Sequence, residues 1–337
     1  MKKNYLDIID PIHDFIRVYD YELPIIDNPL FQRLRRVKQL SGAHLTYPSA
    51  QHSRFEHSLG VMHIATEAGF ALNEKGFLNS DDVQILRLAG LLHDIGHGPF
   101  SHLFEEVIKD KKISHEDYGK KIILNSEIGD VLSKTGFDKK IIAQIAFGES
   151  KFQYLNEIIS GSLSADMMDY LLRDGYFTGA EHANVDHKRI TQSLSIHKKK
   201  IALERSALYS FESMMHSRYQ MFKAVYFHKT VRAAEVMLIQ ALRLSDDEFG
   251  FSSFNLNEYV KLTDEFVISS IIFSKSSKLK QARQLAENYQ NRKLLKCVFE
   301  RILTSQTNLK KTRTDELRLE LSKKSKIDEN EIFVDSS

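Results

Sequence analysis

The amino-acid sequence predicts a mainly α-helical fold: a helical bundle with a few short antiparallel hairpins and a helical C-terminal lobe. Several long segments repeat apolar residues at the three- and four-residue spacing of a buried helix face. Residues 207–245 do so without a proline or a glycine. Only short segments alternate apolar and polar residues as strands do. No long linker, internal repeat or low-complexity tract interrupts this pattern.

The composition narrows the class of protein. The 337 residues suit one large domain or two modest ones, and 42% hydrophobic with 27% charged residues is typical of a soluble globular protein. A formal net charge of +2 gives no strong attraction to nucleic acid or membranes. No apolar run approaches the ~20 residues that span a bilayer, and MKKNYLDIID does not resemble a signal peptide. Cys297 is alone, so it forms no internal disulfide and no thiolate cluster for zinc. We expect a cytoplasmic protein.

The N-terminal part predicts a strand followed by two helices. Residues 12–20 alternate weakly, which favours a short strand or one arm of a hairpin. Residues 28–41 predict a helix, because Asn28 can cap it and Pro29 would stand in its first turn. Residues 53–73 predict a second helix with apolar side chains along one side.

A third helix is predicted from about Ser80 to Asp94. Ser80 is the expected cap, and Asp81 and Asp82 suit the positive end of the helix dipole. The helix should end at IGHGPF, because glycine and proline break helices. The remaining predicted elements are helices at about 115–125, 139–147, 152–160, 164–174, 207–245, 254–273 and 278–303, a hairpin at 193–204, and a terminal strand at 330–335.

The segment LLHDIGHGPFSH contains the main chemical signal. His93 and Asp94 are adjacent at the end of an apolar helix, where both side chains can reach one ion. Imidazole and carboxylate together suit a divalent ion of intermediate hardness, whereas a structural zinc site usually uses thiolates or a closed tetrahedral set. His57, on the preceding helix, and Asp166, at the start of ADMMDYLLRDG, can supply further ligands.

One helical face carries Asp166, Tyr170 and Asp174 at four-residue spacing. A buried aspartate on such a face needs a positive partner, which can be a metal ion, Arg173 or Arg54.

Six motifs resemble, in order, those of the deoxynucleoside triphosphate triphosphohydrolases. This group belongs to the HD superfamily of metal-dependent phosphohydrolases and includes bacterial dGTPases and the vertebrate SAM-and-HD-domain dNTPase. The motifs are DPIHD (10–14), FQRLRRVKQL (31–40), HSRFEHSLGV (52–61), AGLLHDIGHGPFSH (89–102), the His-Glu pair at 115–116, and ADMMDYLLRD (165–174). The resemblance covers residues 5 to about 240, so it implies an HD domain at residues 1–245 and a C-terminal helical lobe at residues 246–337.

The resemblance implies a metal site and a catalytic set. One divalent ion (Mn, Fe, Mg, Co, Ni or Zn) would bind, and a second Mg²⁺ would accompany the triphosphate. His97 and His102 would face the α-phosphate, with His102 near the leaving oxygen, and His115, oriented by Glu116, would take part in proton transfer. The implied metal ligands are His57, His93, Asp94 and Asp166.

The resemblance also implies a substrate-binding set. Arg54 would hold a phosphate oxygen, Tyr170 would stack under the deoxyribose and exclude a 2′-hydroxyl, and Asp174 would accept from the 3′-hydroxyl. The others would touch base, sugar or phosphate. The full set is Gln39, Leu40, Arg54, Tyr170, Asp174, Arg218, Lys223 and Tyr226.

Two departures from the family pattern bear on substrate identity. Met167 stands where the vertebrate enzyme has a lysine, and Phe222 and Phe227 replace polar positions. They keep open a metal-dependent nucleotide phosphomonoesterase or phosphodiesterase. A third alternative is a regulatory protein that binds nucleotides or nucleic acid and has weak catalysis.

A regulatory site is also implied, because some members bind a nucleotide between subunits. Asp27, Gln32 and Arg35 match positions of that site, whereas Ile9 replaces an asparagine. The expected partners are thus a dNTP substrate, a dGTP effector and further copies of the chain in a dimer or tetramer. No membrane partner is expected, and nucleic acid is not favoured.

Overall fold

The structure, a computed structural model, describes residues 4–108, 113–300 and 311–335. The chain is 63% helical, and its described residues form 17 helices and two small antiparallel hairpins, which confirms the predicted fold class. None of the helices within these ranges is long and apolar enough to cross a membrane. The predicted division at residue 245 stays a prediction.

The helices and strands follow one another along the chain as two hairpins set among helices. They are β1 (Tyr5–Asp10), β2 (Asp14–Tyr19), α1 (Leu23–Ile26), α2 (Pro29–Gln32), α3 (Arg54–Glu74), α4 (Ser80–Leu92), α5 (His102–Ile108), α6 (His115–Asn125), α7 (Glu127–Lys134), α8 (Lys139–Ala146), α9 (Gln153–Ile159), α10 (Ala165–Thr178), α11 (His187–Gln192), β3 (Leu194–His197), β4 (Lys200–Leu203), α12 (Leu208–Met221), α13 (Lys229–Phe249), α14 (Leu256–Tyr259), α15 (Asp264–Phe273), α16 (Lys280–Gln290) and α17 (Lys311–Ser325).

The two hairpins agree largely with their predictions. β1 pairs with β2 from Tyr5↔Tyr19 to Asp10↔Asp14, so residues 12–20 contain the turn and the second arm of the first hairpin. β3 pairs with β4 from Leu194↔Leu203 to His197↔Lys200, as the alternation in 193–204 predicted. The DPIHD motif forms the turn of the first hairpin, and two of its residues, Asp10 and His13, are buried in the protein.

The predicted helix at 28–41 is wrong beyond its first turn. Asn28 caps α2 as expected, but the chain continues as a single 3-10 turn at residues 33–36 and then becomes extended. The backbone N–H groups beyond that turn bond elsewhere: Lys38 donates to Asp264 Oδ2 at 3.0 Å, and Gln39 donates to the His52 carbonyl at 3.0 Å. Tertiary partners thus replace the helical ones.

The central helix pair is α3 and α4. Ser53 and Glu56 form a capping box at the start of α3, and α3 is buried on nearly all sides. The cap of α4 is Asn79 and not Ser80, because the Asn79 side chain accepts from the N–H groups of Asp81 and Asp82. α4 ends at Leu92 with His93 as its C-cap, so His93 and Asp94 stand at the end of the helix, just before the Gly-rich turn.

The long helix predicted at 207–245 is two helices. α12 ends in a π-helical segment at residues 222–226, and α13 starts again after His228, whose side chain accepts from the Thr230 N–H. π-Helical segments often occur at functional sites. Here the segment carries Tyr226, whose hydroxyl donates to Asp174 at 2.7 Å.

The C-terminal predictions are partly wrong. The helix predicted at 254–273 is interrupted, since α14 and α15 are separated at residues 260–263, and α16 ends at Gln290. Residues 301–303 of the predicted helix at 278–303 lie outside the described residues. The strand predicted at 330–335 is wrong: NEIFVD forms the end of a 3-10 turn followed by irregular chain, and the Asp335 side chain accepts from Arg232 at 2.9 Å.

Two hydrophobic cores support the site from opposite sides. The larger core lies around α3, α4, α8, α9 and α10, and the second gathers side chains of α5, α13, α15 and α16. Asp264, the first residue of α15, joins the second core to the Gly-rich turn, because Oδ1 accepts from the Phe100 N–H at 2.7 Å.

A close approach between α3 and α10 requires a glycine. A Cβ placed on Gly60 would lie 1.8 Å from Asp169 Oδ1 and 2.6 Å from Arg173 Nη2, distances that no real atoms adopt. α10 can therefore pack here only against a residue without a side chain.

Gly60→Ala should therefore lower the free energy of unfolding by about 1–3 kcal/mol, because the buried ion pair must move to make room. Thermal and urea unfolding would measure the change. Gly69→Ala, on the same helix, is the matched control: its Cβ would meet only side-chain methyl groups, of Val83 at 3.2 Å and of Leu86 at 3.6 Å. That variant should stay within about 1 kcal/mol of the wild type, helped by the helix propensity of alanine. Equal losses in both variants would contradict this account.

Candidate functional site

The four predicted metal ligands converge from three elements. α3 supplies His57, the residues after α4 supply His93 and Asp94, and the start of α10 supplies Asp166. His57 Nε2 lies 3.1 Å from Asp166 Oδ1 and 3.6 Å from Asp94 Oδ2. His93 Nε2 lies 3.3 Å from Asp94 Oδ1 and 3.8 Å from Asp166 Oδ1. Ligands ~2.1 Å from one ion are separated by about 3–4 Å. His57, His93 and Asp166 each place one ligand atom within 4.8 Å of the others, as one ion requires, and the Asp94 carboxylate lies beside these three.

The two histidines present the nitrogens that a metal ion needs. His93 donates from Nδ1 to the Gly90 carbonyl at 2.8 Å, and His57 Nδ1 lies 2.8 Å from Asp169 Oδ2. These bonds turn both rings so that Nε2 faces the other ligand atoms, the orientation in which metal-binding histidines are usually held. His93 Nε2 is also buried without a hydrogen-bond partner in the described part of the chain. The residues therefore fit a divalent cation.

The local charge favours a cation as well. Burial lowers the pKa of His57, but its hydrogen bonds with Asp166 and Asp169 outweigh this effect and raise the pKa to about 10. Burial raises the pKa of Asp94, yet Arg54 and the neighbouring histidines hold it well below its ordinary range. The lowered pKa favours the charged form of the Asp94 carboxylate, which attracts positive charge to the site.

Asp169 supports the site and was missed by sequence reasoning. It is fully buried, and it bonds His57, His13 at 2.7 Å and Arg173 at 2.9 Å. Arg173 continues to Asp10 at 2.9 Å. The available signal was the second aspartate in ADMMD, three residues after Asp166 and therefore near the same helical face.

A second cluster of imidazoles lies beside the metal ligands. His97 Nε2 is 3.2 Å from Asp94 Oδ1, and the His97 and His115 rings stack with centres 4.0 Å apart. The His102 ring stands edge-on, with its centre 4.9 Å from that of His97 and its side chain 66% exposed. The three predicted catalytic histidines are therefore brought together at the edge of the site.

The carboxylate that orients His115 is Glu105 and not Glu116. Glu105 Oε1 contacts His115 Nδ1 and lies 3.6 Å from His102 Nδ1. Glu116 is exposed, because its position next to His115 on α6 turns it about 100° away. Burial lowers the pKa of His115, but the Glu105 hydrogen bond outweighs burial and raises it. Burial and Arg54 lower the pKa of His97 well below its ordinary value.

The turn between the histidines is held in an unusual backbone conformation. Phe100 and Ser101 have φ values of 58° and 53°, in the left-handed region that non-glycine residues rarely adopt. Asp264 accepts from the Phe100 N–H, and Arg54 Nε donates to Ser101 Oγ at 2.9 Å. Arg54 Nη1 also lies 2.6 Å from Asp94 Oδ2, so this predicted phosphate ligand is placed directly at the metal site.

Two of the predicted sugar-binding residues, Tyr170 and Asp174 of α10, lie beside Tyr226 of the π-helical segment. Both Asp174 oxygens accept: Oδ1 from His52 at 2.8 Å and Oδ2 from Tyr226 at 2.7 Å. The Tyr170 and Tyr226 rings meet edge to face, with their centres 6.4 Å apart. Burial raises the pKa of the Tyr170 hydroxyl to about 12, although the nearby Arg218 guanidinium acts to lower it. His52 is a member that sequence reasoning missed, although it stands in the HSRFEHSLGV motif.

Three other predicted substrate residues, Gln39, Leu40 and Lys223, lie outside this group around Asp174. Gln39 donates from its backbone to His52, and its side-chain Oε1 is buried with no hydrogen bond to the described residues. Leu40 packs nearby against Val231 and its neighbours. Lys223 is exposed and lies 5.4 Å from the Tyr219 ring centre, so no contact among the described residues brings it to Tyr170.

The predicted regulatory residues lie together at the surface. Gln32 Nε2 donates to the Ile26 carbonyl at 2.8 Å, next to Asp27, and Arg35 Nε donates to Gln32 Oε1 at 2.8 Å. Asp27 and Arg35 are both exposed.

Comparisons with known proteins match this arrangement. The HD domain family matches residues 54–174, which include all four ligands, and the HD associated region matches residues 185–337. The chain is 32% identical over 327 residues to a protein of Dictyostelium discoideum named deoxynucleoside triphosphate triphosphohydrolase SAMHD1 homolog. That match covers 90% of this chain and 62% of that protein. This chain spans 49–64% of the length of the first curated relatives it matches.

Solved structures share the whole fold. A hypothetical protein from Aquifex aeolicus superposes with a TM-score of 0.78 at 35% identity, covering 94% of this chain and 82% of that one. A phosphohydrolase from Bacteroides thetaiotaomicron gives a TM-score of 0.79 at 29% identity, covering 97% and 85%.

Glu105→Gln should lower the pKa of His115, because the burial that opposes its charge remains while the carboxylate that favours it is lost. The wild-type pKa should lie above the ordinary value of about 6.5, and the variant's should fall toward or below that value. An NMR titration of the histidine ring signals in chelator-treated protein would measure both. Glu116→Gln is the matched control and should leave His115 unchanged. A larger shift in the control than in Glu105→Gln would refute the assignment.

Proposed function

From the premise that this chain belongs to the HD superfamily of metal-dependent phosphohydrolases, we propose that it hydrolyses deoxynucleoside triphosphates to a deoxynucleoside and inorganic triphosphate. The observation that carries the proposal is the convergence of a complete ligand set with three histidines that can move a proton. Those ligands are His57, His93, Asp94 and Asp166. The name of the Dictyostelium relative supports the substrate class.

The four ligands would hold one divalent ion, whose identity the mixed imidazole and carboxylate set leaves among Mn, Fe, Mg, Co, Ni and Zn. When bound, such an ion supplies Lewis-acid charge for phosphoryl transfer and makes water a stronger nucleophile near neutral pH. Arg54, whose guanidinium already lies at Asp94, is placed to neutralise charge that develops on a phosphoryl oxygen.

The three clustered histidines would transfer protons during the reaction. Water attack at the α-phosphorus breaks the bond to the 5′-oxygen, and this oxygen needs a proton as it leaves. His102 projects from the start of α5 with an exposed ring, which makes it the candidate donor. Glu105 raises the pKa of His115, which favours a proton held beside His102, whereas burial lowers the pKa of His97 and disfavours its charged form.

Tyr170, Asp174 and Tyr226 would select the sugar. Tyr170 presents an aromatic face next to Tyr226, and this face suits an apolar deoxyribose surface. Asp174 has lone pairs beyond those used by His52 and Tyr226, so it can still accept from a 3′-hydroxyl. The buried Gln39 Oε1 is free to accept from the base or sugar.

One observation favours a second candidate, a nucleotide phosphomonoesterase or phosphodiesterase. Met167 is 7% exposed and packs in the core, so no lysine side chain reaches a triphosphate from this position. The Phe222 ring lies 5.1 Å from Tyr226, and Arg218 lies 5.6 Å from Phe222. An apolar ring at this point favours a substrate with fewer phosphates.

We further propose that Asp27, Gln32 and Arg35 contribute to a dGTP effector site at a contact between copies of the chain. The support is their proximity on an exposed surface. The relevant assembly would be a dimer or a tetramer.

The full chain, incubated with each dNTP and Mn²⁺ or Mg²⁺, should release a deoxynucleoside and inorganic triphosphate. The assay would be run with and without added dGTP, and anion-exchange chromatography would resolve the products. His93→Ala with Asp94→Ala should reduce the rate by at least ~10³-fold, because the metal site loses two ligands.

Two controls sharpen this assay. His182→Ala with His197→Ala removes two exposed histidines and should leave the rate unchanged. Full activity in the His93→Ala, Asp94→Ala variant would overturn the proposal. Turnover of nucleoside monophosphates or diesters, with none of any dNTP, would select the second candidate.

A further inference from the structure

The three histidines at the edge of the hydrolytic site form, with Glu105, a second group of candidate metal ligands. His97 lies in the Gly-rich turn after α4, His102 and Glu105 are one turn apart on α5, and His115 is the first residue of α6. Each of these four side chains offers one ligand atom, and the four atoms all lie within 4.8 Å of one another. Ligands of one ion must approach each other about this closely.

The Glu105 carboxylate lies between two of the imidazoles. Its Oε1 contacts His115 Nδ1 and is 3.6 Å from His102 Nδ1. Nitrogen and oxygen ligands of the hydrolytic set are separated by 3.1 to 3.8 Å. Because metal ligands must be deprotonated, an ion bound here would take the place of the proton that Glu105 and His115 share.

His97 contributes a buried nitrogen that has no partner. Its side chain is 1% exposed, and its Nε2 is 3.2 Å from Asp94 Oδ1. Its Nδ1 is buried and makes no hydrogen bond with any described residue. When Nε2 shares its proton with the Asp94 carboxylate, the lone pair of the ring lies on Nδ1. Buried polar atoms without partners are rare in proteins and call for an unrecorded water or ion.

Access and charge also suit a cation. The His102 side chain is 66% exposed, and those of Glu105 and His115 are 30% and 19% exposed, so an ion can enter from solvent. The Arg54 guanidinium nearby would repel a cation, but it is paired with Asp94 at 2.6 Å, which offsets its charge.

We propose that this group binds a second cation, separate from the hydrolytic ion, and that the bound ion blocks proton transfer by the histidines. The ligands are His97, His102, Glu105 and His115. Three imidazoles and one carboxylate, without thiolates, suit Zn²⁺ or another late first-row ion rather than Mg²⁺.

The block follows from the lone pairs that the ion occupies. On binding, the ion displaces the proton between Glu105 and His115 to solvent. A nitrogen that holds the ion cannot also carry a proton to a leaving oxygen. The loss of activity rests on the proposed function, whereas the binding of zinc does not.

Zinc content tests the binding without substrate or turnover. The full chain, treated with chelator, would be reloaded with excess Zn²⁺, desalted, and analysed by elemental mass spectrometry. His102→Ala with Glu105→Gln should carry one zinc ion fewer per chain than the wild type. The same difference should appear in a His93→Ala, Asp166→Ala background, which lacks two ligands of the hydrolytic site. Failure of this proposal and failure of the proposed hydrolysis can therefore be told apart.

A matched pair of substitutions serves as the control. Glu116→Gln with His182→Ala also removes one carboxylate and one imidazole, both exposed, and should retain the wild-type zinc content. Circular dichroism would establish that each variant is folded. Equal zinc content in the wild type and in folded His102→Ala, Glu105→Gln protein would overturn the site.

The block is tested separately on the wild-type chain in Mn²⁺. Zinc titration of the His93→Ala, Asp166→Ala variant gives the Zn²⁺ concentration that fills the second site. Added Zn²⁺ should lower the Mn²⁺-supported release of deoxynucleoside over that same concentration range. A full rate at Zn²⁺ concentrations that saturate the second site would overturn the block.

Discussion

The rest of the site depends on the hydrogen bonds and ion pairs of the buried Asp169 carboxylate. A fully buried charge is costly unless partners compensate it, and Asp169 has Arg173, His57 and His13 around it. Burial raises its pKa, but these partners hold it well below its ordinary range, so the charge persists. Gly60 leaves the space for this group. One carboxylate thereby sets the ring orientation of a metal ligand and attaches the first hairpin to the helices.

A second constraint acts on the Gly-rich turn from the C-terminal lobe. The left-handed conformations of Phe100 and Ser101 place His97 and His102 around the site, and such strain persists only when the surroundings enforce it. Asp264 enforces it by accepting from both the Phe100 and Lys38 N–H groups, even though burial raises the pKa of Asp264 to about 6. Asp264 therefore helps to hold the conformation of the Gly-rich turn beside the candidate site.

Local signals in the sequence were sufficient for much of the fold. The apolar spacing of residues 53–73 predicted α3, and the helices predicted at 115–125 and 164–174 correspond to α6 and most of α10. The HD motif predicted which side chains to expect at the candidate metal site. Tertiary contacts decided the rest. The helix predicted at 28–41 does not continue, because the backbone N–H groups of Lys38 and Gln39 bond to Asp264 and His52 instead of to helical partners. The helix predicted at 207–245 is interrupted at the segment where Tyr226 donates to Asp174. Glu105 could not be distinguished from Glu116, because only the packing of α5 against α6 determines which carboxylate reaches His115.

The central claim is that Asp169 orients His57 for a metal ion, and the most direct test is the Mn²⁺ affinity of Asp169→Asn. Calorimetric titration would compare this variant with the wild type, with circular dichroism to establish that both are folded. The variant should bind Mn²⁺ about 10–100-fold more weakly, since the support behind a metal-binding imidazole is lost. A folded variant with wild-type affinity would contradict the account.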